Sequence, residues 1–511
     1  MEGMELMKRL LIAAFAFAFA CAFASPLAAQ NETKNAEFDA YVAQAVRDWQ
    51  APGLAIAVVK DGKVVFAKGY GVREIGKSAP VDTQTVFAIA STTKAMTSAA
   101  IAMLVDEGKV SWDDPVIKYL PSFKLNDPYV TRELTIRDLL THRSGVGNTD
   151  YLWALSDLSP EEMMGKLVLA KPEYSLRSSF IYQNVMYVVA GQLINAVSGM
   201  PWSTFIQKRI FDPLGMAHSY PVEAMVPRGA NAAEPHWLFG RDTIVEIARD
   251  AEKGITSAGG VWSNVADMSK WMIFLLDSGR VNGKQLIKPA TFAELWKPQQ
   301  MVPPDEFYPT MQLTKPHWTT YGLGWFQHDY QGRMLDFHTG SLNGTVAIIG
   351  LIPDEKFGVY VLANRDHVEV RHALMYKAID LYLENPPRDW SRELKPIYDA
   401  RRARGDSARA ARERQRIKGT KPSVALSNYA GTYEDPLYGR IIILEHGGQL
   451  DIDAGPFNKG KLEHWQYDRF RAVWDSRWNG TDIVSFTIGS DGTASALDVS
   501  GLAFKRVPPG K

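Results

Sequence analysis

Strand-forming residues occur in two groups that lie far apart along the 511-residue chain. Near the N-terminus, two runs rich in Val, Ile and Ala, residues 54–60 and 63–70, flank Asp61-Gly62, which is typical of a β-hairpin. The later group consists of three more runs, residues 333–338, 345–352 and 357–364. The stretch between the groups is mostly helical in pattern. We therefore predict an α+β fold, in which both ends of the domain form one antiparallel sheet flanked by helices and a helical domain is inserted between them.

The C-terminal part of the chain changes in character twice. Residues 401–418 are crowded with Arg, Ala, Glu and Gln. Because acidic residues interleave with the basic ones and aromatics are absent, we interpret this segment as a solvated helical linker rather than a nucleic-acid-binding patch. From residue 428 on, short strand-like runs alternate with turn sequences such as Asn479-Gly480 and Asp491-Gly492, which predicts a small all-β barrel or sandwich.

The N-terminus has the three parts of a secretory signal peptide. Lys8 and Arg9 precede an apolar stretch, residues 10–24, and small residues follow it up to Ala29. The apolar stretch is short for a membrane span, which needs about 20 residues. We expect export to the periplasm or the medium, with no stable membrane span in the mature protein. An uncleaved N-terminal anchor is the alternative.

These patterns divide the chain into four parts. They are a signal peptide over residues 1–29, an α+β domain over 30–390, a helical charged linker over 391–424 and a β-barrel domain over 425–511.

Composition disfavours several classes of function. Lys plus Arg and Asp plus Glu both number 57, so no net charge draws the chain to nucleic acid. Cys21 is the only cysteine, so cleavage after Ala29 leaves no disulfide, thiolate nucleophile or Cys-based metal site. The sequence contains neither His-Glu-x-x-His nor Gly-x-Ser-x-Gly, which argues against a metallohydrolase and an α/β-hydrolase. We expect no metal and no cofactor.

Ser91-Thr92-Thr93-Lys94 is the only Ser-x-x-Lys sequence in the chain, and a helical pattern that ends at Gly108 begins there. The spacing puts the Ser91 and Lys94 side chains on one face of the helix. A serine hydroxyl becomes a good nucleophile when a base removes its proton, and a lysine amine can do this once its neutral form is favoured. The helix N-terminus adds N–H groups that stabilise an oxyanion. On its own the motif also fits a plain N-cap at Ser91.

Two further short sequences carry polar groups suited to catalysis. In Tyr182-x-Asn184, a tyrosine near a lysine can carry a proton, and an asparagine amide can hold a substrate carbonyl. The alternative is a helix start in which Tyr182 packs and Asn184 caps. In residues 338–341 (HTGS), Gly340 permits a close approach of substrate and the Ser341 N–H is a second oxyanion donor. The alternative is a strand end with a surface histidine and a bulge glycine.

The order of these three sequences resembles that of the serine β-lactamase and penicillin-binding-protein family. The Tyr-x-Asn form is similar to the class C β-lactamases and the related D-alanyl-D-alanine carboxypeptidases. The resemblance covers about residues 35–385, and the tail from Asn428 resembles the lipocalin-like β-domain of some members. Other matching segments are 139–145 (LLTHRSG), 212–216 (DPLGM), 258–263 (AGGVWS) and 321–325 (YGLGW).

The resemblance implies a role for each site residue. Ser91 is the acylated nucleophile and Lys94 its base partner. Tyr182 passes the proton to the leaving group and then activates water. The residues that bind substrate are Asn184, His338, Gly340 and Ser341.

His338 departs from the family pattern. The best-known members carry at this position a Lys whose ammonium can hold a substrate carboxylate. Because a histidine is mostly neutral near pH 7, the replacement favours uncharged esters, amides or peptides. His338 is then a donor to substrate or an aid to Tyr182.

The sequence therefore predicts an exported serine hydrolase that cleaves an ester or an amide or peptide bond through an acyl-enzyme. The substrate is a small molecule or a peptide. The alternatives are a penicillin-binding, D-Ala carboxypeptidase-like or ligand-binding protein with little turnover, and a true β-lactamase. The sequence does not decide the oligomeric state. It also leaves three roles open for the β-domain, which are shaping substrate access, mediating oligomers and binding glycan.

Overall fold

The computed structural model describes residues 25–147, 149–154, 156–249, 254–456 and 458–508. Most of the expected signal peptide, with Lys8, Arg9 and Cys21, lies outside these residues. Its last part, residues 25–29, belongs to the first described helix. Within the described ranges, no helix is long and apolar enough to cross a membrane.

The described residues form strands throughout both halves of the chain. In chain order they are β1 (Gly53–Lys60), β2 (Lys63–Gly71), β3 (Phe87–Ala88), β4 (His236–Phe239), β5 (Thr243–Glu246), β6 (Trp262–Ser263), β7 (Arg280–Val281), β8 (Lys284–Gln285), β9 (Gln300–Met301), β10 (Thr319–Tyr321), β11 (Phe326–Tyr330), β12 (Arg333–Leu342), β13 (Thr345–Ile352), β14 (Phe357–Ala363), β15 (Gly431–Asp435), β16 (Gly439–His446), β17 (Gln449–Asp453), β18 (Lys459–Gln466), β19 (Arg469–Trp474), β20 (Thr481–Ile488), β21 (Ala494–Val499) and β22 (Leu502–Arg506).

The α-helices lie mainly between the two groups of main-sheet strands and after β14. They are α1 (Ser25–Asp48), α2 (Thr93–Asp106), α3 (Pro128–Glu133), α4 (Ile136–Leu140), α5 (Tyr151–Ala154), α6 (Pro160–Lys166), α7 (Asn184–Ser198), α8 (Trp202–Ile206), α9 (Asp212–Leu214), α10 (Thr256–Gly259), α11 (Val265–Leu276), α12 (Pro289–Trp296), α13 (Met311–Thr314), α14 (Val370–Tyr382) and α15 (Trp390–Arg414).

The main sheet confirms the predicted antiparallel sheet built from both ends of the domain. Its strand order is β2-β1-β14-β13-β12-β11-β10-β9, and β1 pairs with β14 from Leu54↔Ala363 to Lys60↔Phe357. The sheet also contains β9, β10 and β11, which the sequence pattern did not reveal. The first two are only two and three residues long, too short to show an alternation of apolar and polar residues.

Helices cover both faces of this sheet, which explains why β1 is apolar from Leu54 to Val59. Alternate residues of β1 point into two different cores. One core contains residues of α1 and α14, and β1 contributes Leu54, Ile56 and Val58 to it. The other contains residues of α2 and α11, and β1 contributes Ala55, Ala57 and Val59.

The C-terminal strands β15 to β22 form a closed antiparallel barrel, which confirms the all-β prediction for this part of the chain. Aromatic rings fill its interior, as expected for a barrel of eight strands; they include Tyr429, Tyr433, Phe470, Phe486 and Phe504. One end of the barrel packs on the α+β domain. Lys166 Nζ donates to the Pro436 carbonyl at 2.6 Å, and Asn458 Nδ2 donates to the Ala154 carbonyl at 3.2 Å.

Candidate active site

Ser91 lies in a tight turn between a short strand and a buried helix of the α+β domain. After β3 the chain turns at Ala90, whose φ of +49° lies in the left-handed region, and Ala90–Thr92 form one 3₁₀ turn before α2 begins. Thr92 fixes the turn, since its Oγ1 donates to the Ile89 carbonyl at 2.8 Å. Helix α2 is buried from Thr93 to Leu104, so its N-terminus holds Ser91 in a fixed position.

Lys94 is completely buried and directed at the Ser91 hydroxyl. Its Nζ lies 3.1 Å from Ser91 Oγ, 2.7 Å from Asn184 Oδ1 and 3.0 Å from the carbonyl oxygen of Ala258. The last two oxygens can only accept hydrogen bonds from the amine. A neutral amine has two N–H groups and one lone pair, so donation to these two oxygens leaves the lone pair for the Ser91 O–H. This is the geometry that a base requires.

The Tyr182-Gln183-Asn184 segment brings the second motif to the same place. Asn184 is the first residue of α7, and its amide bridges Lys94 and Asp150, with Nδ2 donating to Asp150 Oδ1 at 3.0 Å. Gln183 is buried and ties the segment to the preceding loop, where its Nε2 donates to the Val146 and Gly147 carbonyls at 2.7 Å. Asn184 therefore holds the base and does not cap its helix.

The phenol of Tyr182 lies beside both Ser91 and Lys94. Lys94 Nζ is 4.8 Å from the centre of the Tyr182 ring. Although part of this side chain is accessible from the cleft, the surrounding protein desolvates the phenol and raises its pKa well above the usual 10, while a hydrogen bond with Ser91 acts in the opposite direction. Tyr182 is thus protonated at rest and can donate a proton to a departing group.

His142 was not among the predicted site residues, yet it supports Tyr182 directly. Its ring is fully buried, and the ring centres of His142 and Tyr182 are 4.3 Å apart. His142 Nδ1 accepts a hydrogen bond of 3.0 Å from the backbone N–H of Gln183. Burial, followed by the proximity of Lys94 and His338, lowers the pKa of His142 well below its ordinary value. Residues 139–145 resembled the family in sequence, but nothing in that segment predicted the positive φ of +56° at His142.

The strand β12 forms the opposite wall of the cleft. Its pairing with β11 ends at Phe337, so the edge from His338 onward faces the Ser91 turn instead of a strand. Gly340 permits this approach, because a Cβ atom there would lie 2.2 Å from the carbonyl oxygen of Ile89. Ser341 follows at the open end of the strand, where its Oγ accepts a hydrogen bond from Arg371 Nη1 at 2.9 Å.

His338 is placed differently from its neighbours on β12. It is 1% exposed, its Nε2 lies 2.9 Å from the Tyr321 hydroxyl, and its Nδ1 lies 2.6 Å from the Thr339 carbonyl oxygen. Because a carbonyl oxygen only accepts, Nδ1 carries the proton and Nε2 accepts from Tyr321. Burial and then the proximity of Lys94 lower the pKa of His338 to about 3. The residue is therefore neutral and turned to the protein interior, not to the surface.

The structure thus brings Ser91, Lys94, Tyr182 and Asn184 into contact, with Gly340 and Ser341 on the facing strand. A buried amine beside a hydroxyl, with a protonated phenol next to both, is an arrangement suited to acyl transfer. Within the described ranges, no group of three or more His, Cys, Asp or Glu side chains is positioned to hold a metal ion.

Comparison with known proteins agrees with this arrangement. Residues 38–384 match the family described as Beta-lactamase, and residues 415–506 match a domain of unknown function, DUF3471. The chain is 30% identical over 380 residues to the unguisins hydrolase ungD of Aspergillus violaceofuscus, a match that covers 70% of this chain and 66% of that protein. It is 26% identical over 345 residues to protein flp of Staphylococcus aureus, covering 64% and 62%.

The fold is also found among solved structures. The octameric penicillin-binding protein homologue from Pyrococcus abyssi superposes with a TM-score of 0.60 at 24% identity, over 92% of this chain and 99% of that one. The family match spans well over half of the chain and includes every motif residue described above. This protein therefore belongs to the β-lactamase family of serine hydrolases.

Proposed function

We propose that this protein is an exported hydrolase that cleaves an ester or an amide or peptide bond through an acyl-enzyme on Ser91. One observation carries the proposal: the buried Nζ of Lys94 lies 3.1 Å from Ser91 Oγ while two acceptor-only oxygens occupy its N–H groups. In the neutral form of the amine, this arrangement directs the lone pair at the Ser91 hydroxyl, as proton transfer from Ser91 requires.

The reaction follows from the positions of these groups. Lys94 accepts the proton of Ser91 as Oγ attacks the carbonyl carbon, and the Ser91 and Ser341 N–H groups stabilise the oxyanion. Tyr182 then gives its proton to the leaving group, which departs and leaves an ester on Ser91. In the second half, a water molecule loses a proton to the Tyr182–Lys94 pair and attacks that ester. The acid is released and Ser91 regains its proton.

The state of His338 supports substrates without a carboxylate next to the scissile bond. Because His338 is neutral and both its ring nitrogens are engaged by the protein, it supplies no fixed positive charge. This favours esters, amides or peptides over β-lactams and D-Ala-D-Ala ends, which carry such a carboxylate. Relatives named as hydrolases support turnover over simple ligand binding.

A substrate panel tests the proposal. It contains nitrophenyl esters, aminoacyl anilides of both hands, nitrocefin and a D-Ala-D-Ala peptide. We expect turnover of esters or anilides and slow or no turnover of the last two. A burst of product without a steady state would instead identify a binding protein with little turnover.

Labelling with a fluorophosphonate probe tests the nucleophile. We expect Ser91→Ala to abolish labelling. The matched control is Ser98→Ala, which removes a buried hydroxyl from the same helix, and it should label like the parent protein. Labelling that persists in the Ser91→Ala protein would refute the assignment.

Export is tested separately by sequencing the N-terminus of the protein made in its natural host or a secreting host. We expect a mature N-terminus close to residue 30. A mature protein that retains residues 8–24 would support the uncleaved anchor.

A further inference from the structure

The barrel meets the α+β domain with one of its two ends, and that end opens into a cavity. The contacts come from the loops that follow β15, β17 and β19, through Pro436, Asn458 and Arg477. Ile441, near the start of β16, and Val499, the last residue of β21, line the cavity at the same end. The interface therefore surrounds the mouth of the barrel.

The cavity has a volume of about 460 Å³ and adjoins the active site at Ser341. On the α+β side it is lined by Ser341, which follows Gly340 on β12, and by Tyr151, which follows the Asp150 bound to Asn184. Pockets of this size at domain interfaces and barrel mouths are common small-molecule sites. The cavity thus borders the site on its Ser341 side.

Tyr182 and Thr339 do not line this cavity. In the proposed reaction Tyr182 protonates the leaving group, so the leaving group departs on the Tyr182 side. The part of the substrate on the opposite side of the scissile bond is the acyl group. The cavity next to Ser341 lies where that acyl group would extend.

Several aromatic side chains line the cavity, together with His367, whose Nδ1 lies 2.7 Å from Asp366 Oδ2. Indole rings come from both sides, Trp153 from the α+β domain and Trp474 and Trp478 from the barrel. Carboxylates are present at Asp157, Asp366 and Asp482. Asp482 accepts hydrogen bonds from Trp474 Nε1 at 2.7 Å and Ser500 Oγ at 2.9 Å, which fixes it at the barrel mouth. Aromatic walls favour a large apolar group. His367 offsets the charge of Asp366, whereas Asp482 is held by the neutral donors Trp474 and Ser500, so its carboxylate repels an anion.

We propose that the barrel mouth forms the acyl subsite of the enzyme, with Trp478 as a specificity-determining residue that selects large apolar or aromatic acyl groups and rejects anionic ones. This rests on the proposed acyl-enzyme function and assigns a role to the C-terminal domain. Trp478 is half-buried, so its ring is available to a ligand, whereas Trp474 is almost fully buried and supports the wall.

The test compares nitrophenyl esters that differ only in the acyl group: acetate, phenylpropionate and the monoester of succinate. For the parent protein we expect kcat/KM for phenylpropionate to exceed that for acetate by about tenfold or more, since each 1.4 kcal/mol of burial is a factor of ten. Trp478→Ala should remove most of this preference, because kcat/KM for phenylpropionate falls far more than kcat/KM for acetate. Asp482→Asn should raise the succinate rate relative to acetate.

Tyr467→Ala is the matched control, because Tyr467 is an exposed aromatic residue at the far end of the barrel. It should keep the parent selectivity. Trp478→Phe should recover most of the preference lost in Trp478→Ala. If the full-length Trp478→Ala protein hydrolyses acetate normally and keeps the phenylpropionate preference, the subsite assignment is wrong and the proposed function stands. If the parent protein hydrolyses no ester or anilide, both fail.

Discussion

The Nζ of Lys94 donates a hydrogen bond of 2.7 Å to Oδ1 of Asn184, closer than its 3.1 Å contact with Ser91. An amide oxygen orients the amine without adding charge. A carboxylate in the same place would stabilise the ammonium form, which cannot accept the serine proton.

Replacing Asn184 with Asp should therefore slow acylation of Ser91 by about a hundredfold, the lower end of what one general base contributes. Stopped-flow acylation with a nitrophenyl ester measures this step. The control is Asn195→Asp, on the same helix but away from Lys94, which should acylate normally. An Asn184→Asp protein with an unchanged acylation rate would show that the charge state of Lys94 does not limit the step.

Replacing Tyr182 with Phe should separate the two halves of the reaction. The ring that packs on His142 is kept and only the hydroxyl is lost, so the fold should be retained. We expect a burst of nitrophenol from partial acylation, followed by a steady-state rate lower by about 10²–10⁴-fold because deacylation lacks its proton carrier. Mass spectrometry should then detect the acylated protein. A slow steady-state rate with no burst and no detectable acyl-enzyme would instead argue that Tyr182 acts only on the first step.

Replacing Gly340 with Ala should damage the site through backbone contact. The new Cβ would lie 2.2 Å from the Ile89 carbonyl oxygen, which cannot move without shifting the Ser91 turn. We expect a loss of about 1–3 kcal/mol in unfolding free energy and a fall in kcat of tenfold or more.

Gly350→Ala on the neighbouring strand is the control for this change. Its Cβ would meet the flexible Met375 side chain, with the Sδ atom at 2.6 Å. It should cost some stability but leave kcat close to the parent value. Denaturant unfolding measures the loss of stability in both variants, and ester kinetics measure the loss of kcat. Equal losses of kcat would show that close packing of the β12 edge against the Ser91 turn is not needed for catalysis.

Stability should fall as the pH rises because of Asp336, two residues before His338 on β12. Burial raises the pKa of Asp336 to about 8 from an ordinary value of 3.8, and Asp336 is completely buried. The folded protein therefore holds this proton over a range in which the unfolded chain has lost it. The stabilisation is complete below pH 3.8 and is lost as the pH rises through about 8.

Replacing Asp336 with Asn should remove this pH dependence. The amide oxygen can still accept the hydrogen bond from Gln327 Nε2. The unfolding free energy of the variant should exceed that of the parent by an amount that grows from pH 5 to pH 9, by at most about 1.4 kcal/mol per pH unit. Urea unfolding at pH 5, 7 and 9 measures it. Asp242→Asn, at an exposed position, should show no such trend. If the unfolding free energies of Asp336→Asn and the parent protein change in parallel with pH, Asp336 does not hold a proton in the folded state.

Much of the fold was predictable because its strongest signals are local. The β1–β2 hairpin, the later strands and the C-terminal barrel all follow from apolar runs separated by turn residues. The strands β9 and β10 were missed because pairing with longer neighbours, not their own two or three residues, makes them strands. His338-Thr339-Gly340 proved to lie within a strand, not at its end, and to have no bulge in its pairing with β13.

The site was predictable only where its residues are close in sequence or share a family motif. The Ser91–Lys94 spacing fixes one pair, whereas the Asn184–Lys94 contact joins residues 90 positions apart. The hydrogen bond between His142 and Gln183 depends on a backbone turn with positive φ at His142. The residue types at this turn did not predict that conformation. The burial of His338 likewise depends on its contacts with Tyr321 and Thr339, whereas the sequence predicted a substrate-binding residue, with a surface histidine as the alternative.

The pairing of β1 with β14 has a consequence for biosynthesis. Position 91 is synthesised early, but in the sheet β12 is joined to β1 only through β13 and β14, and β14 ends at Ala363. Most of the chain must therefore leave the ribosome before the Ser91 turn can contact β12. A nascent or truncated chain that stops before β14 should therefore have no hydrolase activity. The strand order itself delays activity until most of the chain has been synthesised.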